Sequence, residues 1–148
     1  MKDIIEHFGG DNNWLSNFEI TDIEYRGLIY PSVEHAYVST KSKSKKWKKL
    51  CQDKNTPPGS IKKQSETVEL IDGWDDMKFK IMKEILMIKF QKEPYKSLLI
   101  GTGKTYIQEG NVWGDKIWGV CLKTNKGKNR LGKIIMDIRT YLNGGGLF

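Results

Sequence analysis

Two stretches of the chain repeat apolar residues at the three- and four-residue spacing that gives a helix one buried face. The first lies after Asp72, where Trp74, Met77, Ile81, Ile85 and Ile88 form a stripe that Met82 and Leu86 widen. The second runs through Leu131, Ile134, Ile135, Ile138, Tyr141 and Leu142 and is ended by Gly144-Gly145-Gly146. Elsewhere the apolar runs are short and broken by turn formers. Ile4 to Phe8 reads as a strand, and Gly9 to Asn13 reads as a loop. Ile23 to Tyr25 and Leu28 to Tyr30 read as strands joined by a tight turn at Arg26-Gly27.

Pro31-Ser32 closes this strand region, and Ser32 is placed to cap a helix from about Val33 to Lys41. A second, basic helix is expected near Lys45 to Gln52, and Asn55 to Ser60 is expected as a loop. Pro94 fits the first turn of a helix carrying Leu98 and Leu99 and stopping at Gly101 or Gly103. Tyr106 to Gln108 and Ile117 to Val120 are strand candidates around a glycine-rich turn. The expectation is an α+β fold, one compact and mainly helical domain over residues 1–148 with a few short strands.

Composition narrows the class. With 148 residues, 38% hydrophobic and 29% charged, the chain can bury a core without disulfides and is not of the disordered type. Cys51 and Cys121 have no metal-ligand spacing, which suits a reducing cytoplasm, and His7 and His35 are too few for a histidine-rich zinc site. The opening MKDIIEHF lacks the apolar stretch of a signal peptide, and no run approaches a membrane span, so a cytoplasmic protein without membrane partners is expected. The net charge is +7. Much of it is crowded between Lys41 and Lys49, with a second group at Lys123, Lys126, Lys128, Arg130 and Lys133. Such density attracts phosphate-rich partners, although a solvated lysine face gives the same pattern.

Once the helical stripes are set aside, a polar and aromatic remainder is left. Trp14 to Phe18 sets Ser16 and Asn17 among aromatics. Glu34 and His35 fall in the first turn of a helix, where a carboxylate is favoured by free N–H groups, and Lys41 lies two turns further on the same face. Glu109 to Gly119 packs Glu109, Asn111 and Asp115 with Trp113 and Trp118 among three glycines. Glycines allow close backbone approach to a ligand, and indoles offer flat stacking faces. A tryptophan-anchored turn and a plain helix cap would leave the same traces. Walker A, GxGxxG, HExxH and GxSxG patterns are absent. Glu34, Glu109 and Asp115 are the available acid–base groups, with Lys41 as a possible amine nucleophile.

Taken in order, these residues resemble the NADAR (YbiA-like) family. The likeness runs through Leu15-Ser16-Asn17-Phe18, Ser32-Val33-Glu34-His35-Ala36-Tyr37 and Lys41, then Trp74 with Lys78, Met82, Lys89 and Phe90. It continues through Leu98-Leu99, Thr102-Gly103, Glu109-Gly110-Asn111, Trp113-Gly114-Asp115 and Trp118-Gly119, to Gly127, Asn129, Leu131-Gly132, Met136 and Arg139. Val38, Ser65-Glu66 and Gly73 depart from the family's usual glutamine, Gly-Arg pair and aspartate. Glu66 in place of a basic residue removes a candidate phosphate contact that the resemblance would otherwise imply.

The resemblance implies an N-glycosidase acting on the C1′–N bond of a phosphorylated ribose. Two substrate classes follow from it: ADP-ribose on guanine bases, with ADP-ribosylated nucleic acid as a partner, and phosphoribosyl-amine intermediates of riboflavin synthesis. It carries the family's essential glutamate, tryptophan and aspartate over to Glu34, Trp74 and Asp115, and its lysine at the end of the first helix over to Lys41. It also places Asn17, Phe18, His35, Glu109, Asn111, Trp113, Trp118, Gly119 and Asn129 about the substrate. No metal and no redox cofactor are needed. Glu34 is expected to stabilise charge at C1′ and Asp115 to help the base leave, or the reverse; Lys41 could instead form a Schiff base with the opened sugar. Glu34, Lys41, Trp74, Asp115 and Trp118 are expected to converge on one pocket. Lys41 is expected to face it, while Lys43, Lys45, Lys46, Lys48 and Lys49 lie exposed. The competing readings are a non-catalytic module that binds ADP-ribose or nucleic acid and a DNA-binding accessory protein.

Overall fold

The computed structural model describes residues 3–145 and resolves into two units, one of Met1–Ser16 with Phe90–Phe148 and one of Asn17–Lys89. The Asn17–Lys89 unit opens with a hairpin of β2 (Ile23–Tyr25) and β3 (Leu28–Tyr30), paired Ile23 to Tyr30 and Tyr25 to Leu28. Arg26 and Gly27 turn it with φ of 52° and 83°. Two successive left-handed residues match the twist of the strands, and glycine takes the second position without strain. Three short helices follow: α1 (Val33–Ser39), α2 (Lys45–Cys51) and α3 (Pro58–Ser65). The long helix α4 (Trp74–Phe90) completes the unit.

Every residue from Pro31 to Thr40 is buried. Helix α1 is therefore a core helix, apolar and polar residues alike, rather than one with a solvated face. Around it lie Ile23, Tyr25, Tyr30, Trp47, Cys51, Ile61, Ile81 and Ile85, all buried. Burial pushes the Cys51 thiol up to about 12 and the Tyr25 phenol, which also donates to Glu84 at 2.7 Å, to about 12.

The other unit pairs β1 (Ile4–Ile5) in parallel with β4 (Tyr106–Ile107), and β5 (Gly110–Asn111) in parallel with β6 (Val120–Cys121). A 3-10 helix at Gly10–Leu15, helix α5 (Tyr95–Gly101) and helix α6 (Arg130–Leu142) surround them. Its core is built on Leu15, Phe90, Leu99, Ile107, Ile135 and Ile138, each fully buried. Phe90 meets Trp14 and Tyr95 edge-on, with ring centroids 6.3 and 6.5 Å apart. Arg139 is held against the α5–β4 connection by Thr102 Oγ1 at 2.8 Å and the Thr105 carbonyl at 2.7 Å.

The α+β reading with more helix than strand holds, and several local expectations are corrected. The first strand is two residues long, and the expected loop after it is the 3-10 helix. Helix α3 starts at Pro58, inside the stretch expected as a loop, because proline at a first helical position costs nothing. The strand expected at Ile117–Val120 shifts to Val120–Cys121, since the carboxylate of Asp115 takes the N–H groups of Ile117 and Trp118 out of any ladder. On α4, Met77 is exposed, while Met82, Leu86 and Lys89 are buried with Ile81 and Ile85. Gly146, expected in the glycine stop of α6, lies outside the described residues.

Candidate active site

The first turn of α1 needs partners for its free N–H groups, and the sequence supplies them. Ser32 Oγ accepts from His35 N at 3.1 Å, and the Asn17 carbonyl accepts from Glu34 N at 3.1 Å. Because the Thr56 carbonyl can only accept, Nε2–H of His35 donates to it at 2.7 Å, and Nδ1 of the neutral ring accepts from the Ser32 hydroxyl at 2.6 Å. His35 is a neutral, fully buried ring that ties α1 to the loop before α3, and burial holds its pKa below the usual histidine range. Both ring nitrogens are occupied.

Glu34 is 6% exposed, and its carboxyl makes no hydrogen bond among the described residues. Burial pushes its pKa above the ordinary carboxylate range, against the pull first of Lys62 and then of Lys41. Lys41, just beyond the C-cap of α1, is half-buried and donates from Nζ to Ser65 Oγ at 3.1 Å; Ser65 in turn donates to the Lys62 carbonyl at 2.6 Å. Burial lowers the Lys41 pKa, with Lys62 and Lys78 adding to the drop and Glu34 and Glu66 opposing it. Lys62 Nζ also stands 5.8 Å from the centroid of the Phe18 ring. Tyr37 and Trp74 lie tilted at 50° with centroids 5.3 Å apart. A buried carboxyl, a cramped ammonium and a pair of aromatic faces thus lie near one another within the Asn17–Lys89 unit.

In the other unit the glycine-rich turn is organised by Asn111, which is 2% exposed. Its Nδ2 donates to Glu109 Oε2 at 3.2 Å and to the Asp115 carbonyl at 2.9 Å, while its Oδ1 accepts from Gly114 N and Asp115 N at 3.0 Å each. Asp115 Oδ1 accepts from Ile117 N and Trp118 N at 3.0 Å each. Asn129 Oδ1 accepts from Glu109 N at 3.0 Å, and its Nδ2 donates to the Ile107 carbonyl at 2.9 Å and to the Tyr106 hydroxyl at 3.2 Å. Gly119 lies against this knot so closely that a Cβ there would sit 1.8 Å from Glu109 Oε2 and 2.2 Å from the Glu109 carbonyl.

A profile of the NADAR domain matches residues 6–143. The chain belongs to the NADAR family. It is similar to the N-glycosidase YbiA of Escherichia coli (strain K12), 27% identical over 151 residues that cover 96% of this chain and 91% of that protein. An N-glycosidase of Nostoc punctiforme is 31% identical over 130 residues, 84% and 82% of the two chains. The NMR structure of the E. coli protein YbiA matches with a TM-score of 0.83 at 28% identity, covering 97% of this chain and 87% of that one.

The NADAR motifs read from the sequence divide between the units. Asn17, Phe18, Glu34, His35, Lys41 and Trp74 belong to Asn17–Lys89; Glu109, Asn111, Trp113, Asp115, Trp118, Gly119 and Asn129 belong to the other. Of these, His35, Asn111 and Asn129 have their polar atoms engaged in internal bonds, and Trp113 is 67% exposed. The lysine run is corrected at one position. Lys43, Lys45, Lys46 and Lys49 are exposed, but Lys48 is half-buried and donates to the Ser39 carbonyl at 2.8 Å, closing the end of α1. Sequence reasoning passed over Lys62 and met Ser65 only as half of a departure from the family pattern. Their only signal is a basic residue and a small one three apart, hidden by the Pro57-Pro58-Gly59 breaker. Among the described residues no group of three or more His, Cys, Asp or Glu could hold a metal ion, and no helix is long and apolar enough to cross a membrane.

Proposed function

We propose that this NADAR protein is an N-glycosidase that hydrolyses the C1′–N bond of a phosphorylated ribose, carried either by an ADP-ribosylated guanine or by a phosphoribosyl amine. The observation that carries the reading is Glu34, a buried carboxyl with no hydrogen bond of its own among the described residues and two ammonium groups acting on it. Its relatives named N-glycosidases support the reaction type.

As the C1′–N bond breaks, positive charge builds on the ribose. Burial disfavours the ionised Glu34; a cationic sugar beside it reverses that preference. Its stabilisation therefore grows toward the transition state, which is what accelerates a reaction. The same carboxylate can take a proton from the attacking water. Asp115 is assigned to the leaving base. With Oδ1 held by two backbone N–H groups, Oδ2 is the oxygen left for that role. Trp74 and Tyr37 supply flat apolar faces for the base or sugar. Lys41, with its depressed pKa, keeps more free amine near neutral pH than an exposed lysine does. It offers a second route: the amine adds to C1′ of the ring-opened iminium form of the substrate, the base leaves as its amine, and water then hydrolyses the resulting lysine Schiff base to the free sugar and the free amine.

The test is incubation with both substrate classes, following released base, amine and ADP-ribose. Release by the wild type supports the reading, and intact substrate after long incubation sinks it. Addition of borohydride during turnover would fix the sugar covalently on Lys41 if the Schiff base route operates, and would leave the chain mass unchanged if it does not.

A further inference from the structure

Asn17 Oδ1 is the one side-chain polar atom among the described residues that is buried without a hydrogen-bond partner. Native structures keep few such atoms because an acceptor that has lost water and gained nothing costs stability. The rest of the residue is fixed. Its carbonyl accepts from Glu34 N at 3.1 Å, so the residue is tied to the backbone of the buried carboxyl-bearing residue. Its amide nitrogen donates to Met82 Sδ on α4 at 3.6 Å. Sulfur accepts weakly but cannot donate, so this contact turns the nitrogen toward α4 and leaves the buried oxygen unpaired. A leucine of nearly the same shape would carry no such penalty.

An unpaired amide oxygen calls for a donor. Phosphate oxygens bring none at neutral pH, whereas sugar hydroxyls do. The glycosidase reading above, on which this inference rests, puts Glu34 at C1′, and the hydroxyl one bond away is the one on C2′. Hydrogen bonds to that hydroxyl strengthen as the ring becomes cationic, which makes them useful in glycoside cleavage. We infer that Asn17 is a specificity-determining residue whose side-chain oxygen accepts a hydrogen bond from a hydroxyl of the substrate's ribose, so that the site distinguishes ribose from deoxyribose.

The experiment compares wild type with Asn17→Leu on the full chain, by calorimetry and thermal melting. The probes are ADP-ribose, its forms lacking the 2- or the 3-hydroxyl of the terminal ribose, and the pair ribose 5-phosphate and 2-deoxyribose 5-phosphate. Wild type should prefer the hydroxylated probe roughly ten- to a hundredfold, because a site with a buried acceptor rejects a ligand that leaves it unpaired. In Asn17→Leu the preference should collapse to about threefold or less, while the unliganded variant melts at the wild-type temperature or above it. A preference that depends on the 3-hydroxyl instead supports the same inference and moves the contact by one carbon. An unchanged preference in Asn17→Leu, or a lowered melting temperature with the preference kept, overturns it and makes Asn17 a structural residue. Equal binding of all forms by wild type overturns this inference alone. Failure of wild type to bind any of the probes, together with no release of base, amine or ADP-ribose, removes the glycosidase reading as well.

Discussion

Glu34 sits where two demands conflict, since folding wants a neutral group there and charge stabilisation wants an anion. Its folded pKa is raised by burial, so its protonated form favours the folded state. That contribution is full below the ordinary carboxylate range and is lost as pH rises through the raised value. Glu34→Gln keeps the shape and removes the charge. The variant should melt at or above the wild-type temperature near neutral pH, with the gap closing toward about pH 4, and should lose roughly a hundredfold or more in turnover. Melts across that pH range and an initial-rate assay check both halves, and full activity would move the key carboxylate elsewhere. Glu34 and Lys41 were legible because both lie on a motif and a helical spacing. The burial of Glu34 was not, since its position in a first turn reads equally as a solvated cap. Lys62, and the bond that Ser65 makes, were not legible either. Their contacts with Phe18 and Lys41 join residues 24 or more positions apart, beyond any local pattern.

Short elements depend on their ends, and α1, seven residues long, depends on Ser32. That hydroxyl serves the helix N–H and the His35 ring together. Ser32→Ala should therefore cost about 1–2 kcal/mol in denaturant unfolding, at the upper end for a cap. A loss within error of zero would mean that water takes over both bonds. The strands of the glycine-rich turn depend instead on close approach. Gly119→Ala would drive its Cβ into the Glu109 carbonyl, which β-pairing to Val120 N at 2.9 Å holds in place. A loss of roughly 1–3 kcal/mol is expected, and wild-type stability in the variant would show that the turn yields. The helices with a clear apolar period, α4 and α6, were read nearly to the residue. The turn was not, because the side chains that organise it, Asn111 and Asp115, bond to backbone, and no periodicity records such bonds.

Across the whole molecule the +7 charge is unevenly employed. Lys41 and Lys48 are committed to Ser65 and to the end of α1, which leaves Lys43, Lys45, Lys46 and Lys49 of the basic run exposed. Changing those four to Gln should weaken capture of ADP-ribosylated DNA, with a shallower salt dependence, and leave hydrolysis of a small ribosyl substrate within about twofold. Equal effects on both substrates, measured across a salt series, would reduce the run to a solvated face. The fold class and most of the helices could be read from the chain, but the 3-10 helix and α3 could not. Its division into two units could not, because nothing in local composition marks Asn17 or Lys89 as a boundary.

The parallel pairing of β1 with β4 also bears on how the chain is made. Ile4 finds its partner at Tyr106, and the side-chain bond beside that pair, Thr105 to Asp3, spans 102 residues. A ribosome adding about 5–20 residues per second needs roughly 5–20 s to cross that interval. Throughout that time the first strand has been synthesised and has nothing to pair with. The residues made meanwhile include the whole of Asn17–Lys89, a contiguous stretch whose contacts are all available before α5 exists. Vectorial synthesis thus favours assembly from the middle outward, with β1 among the last elements to find its partner.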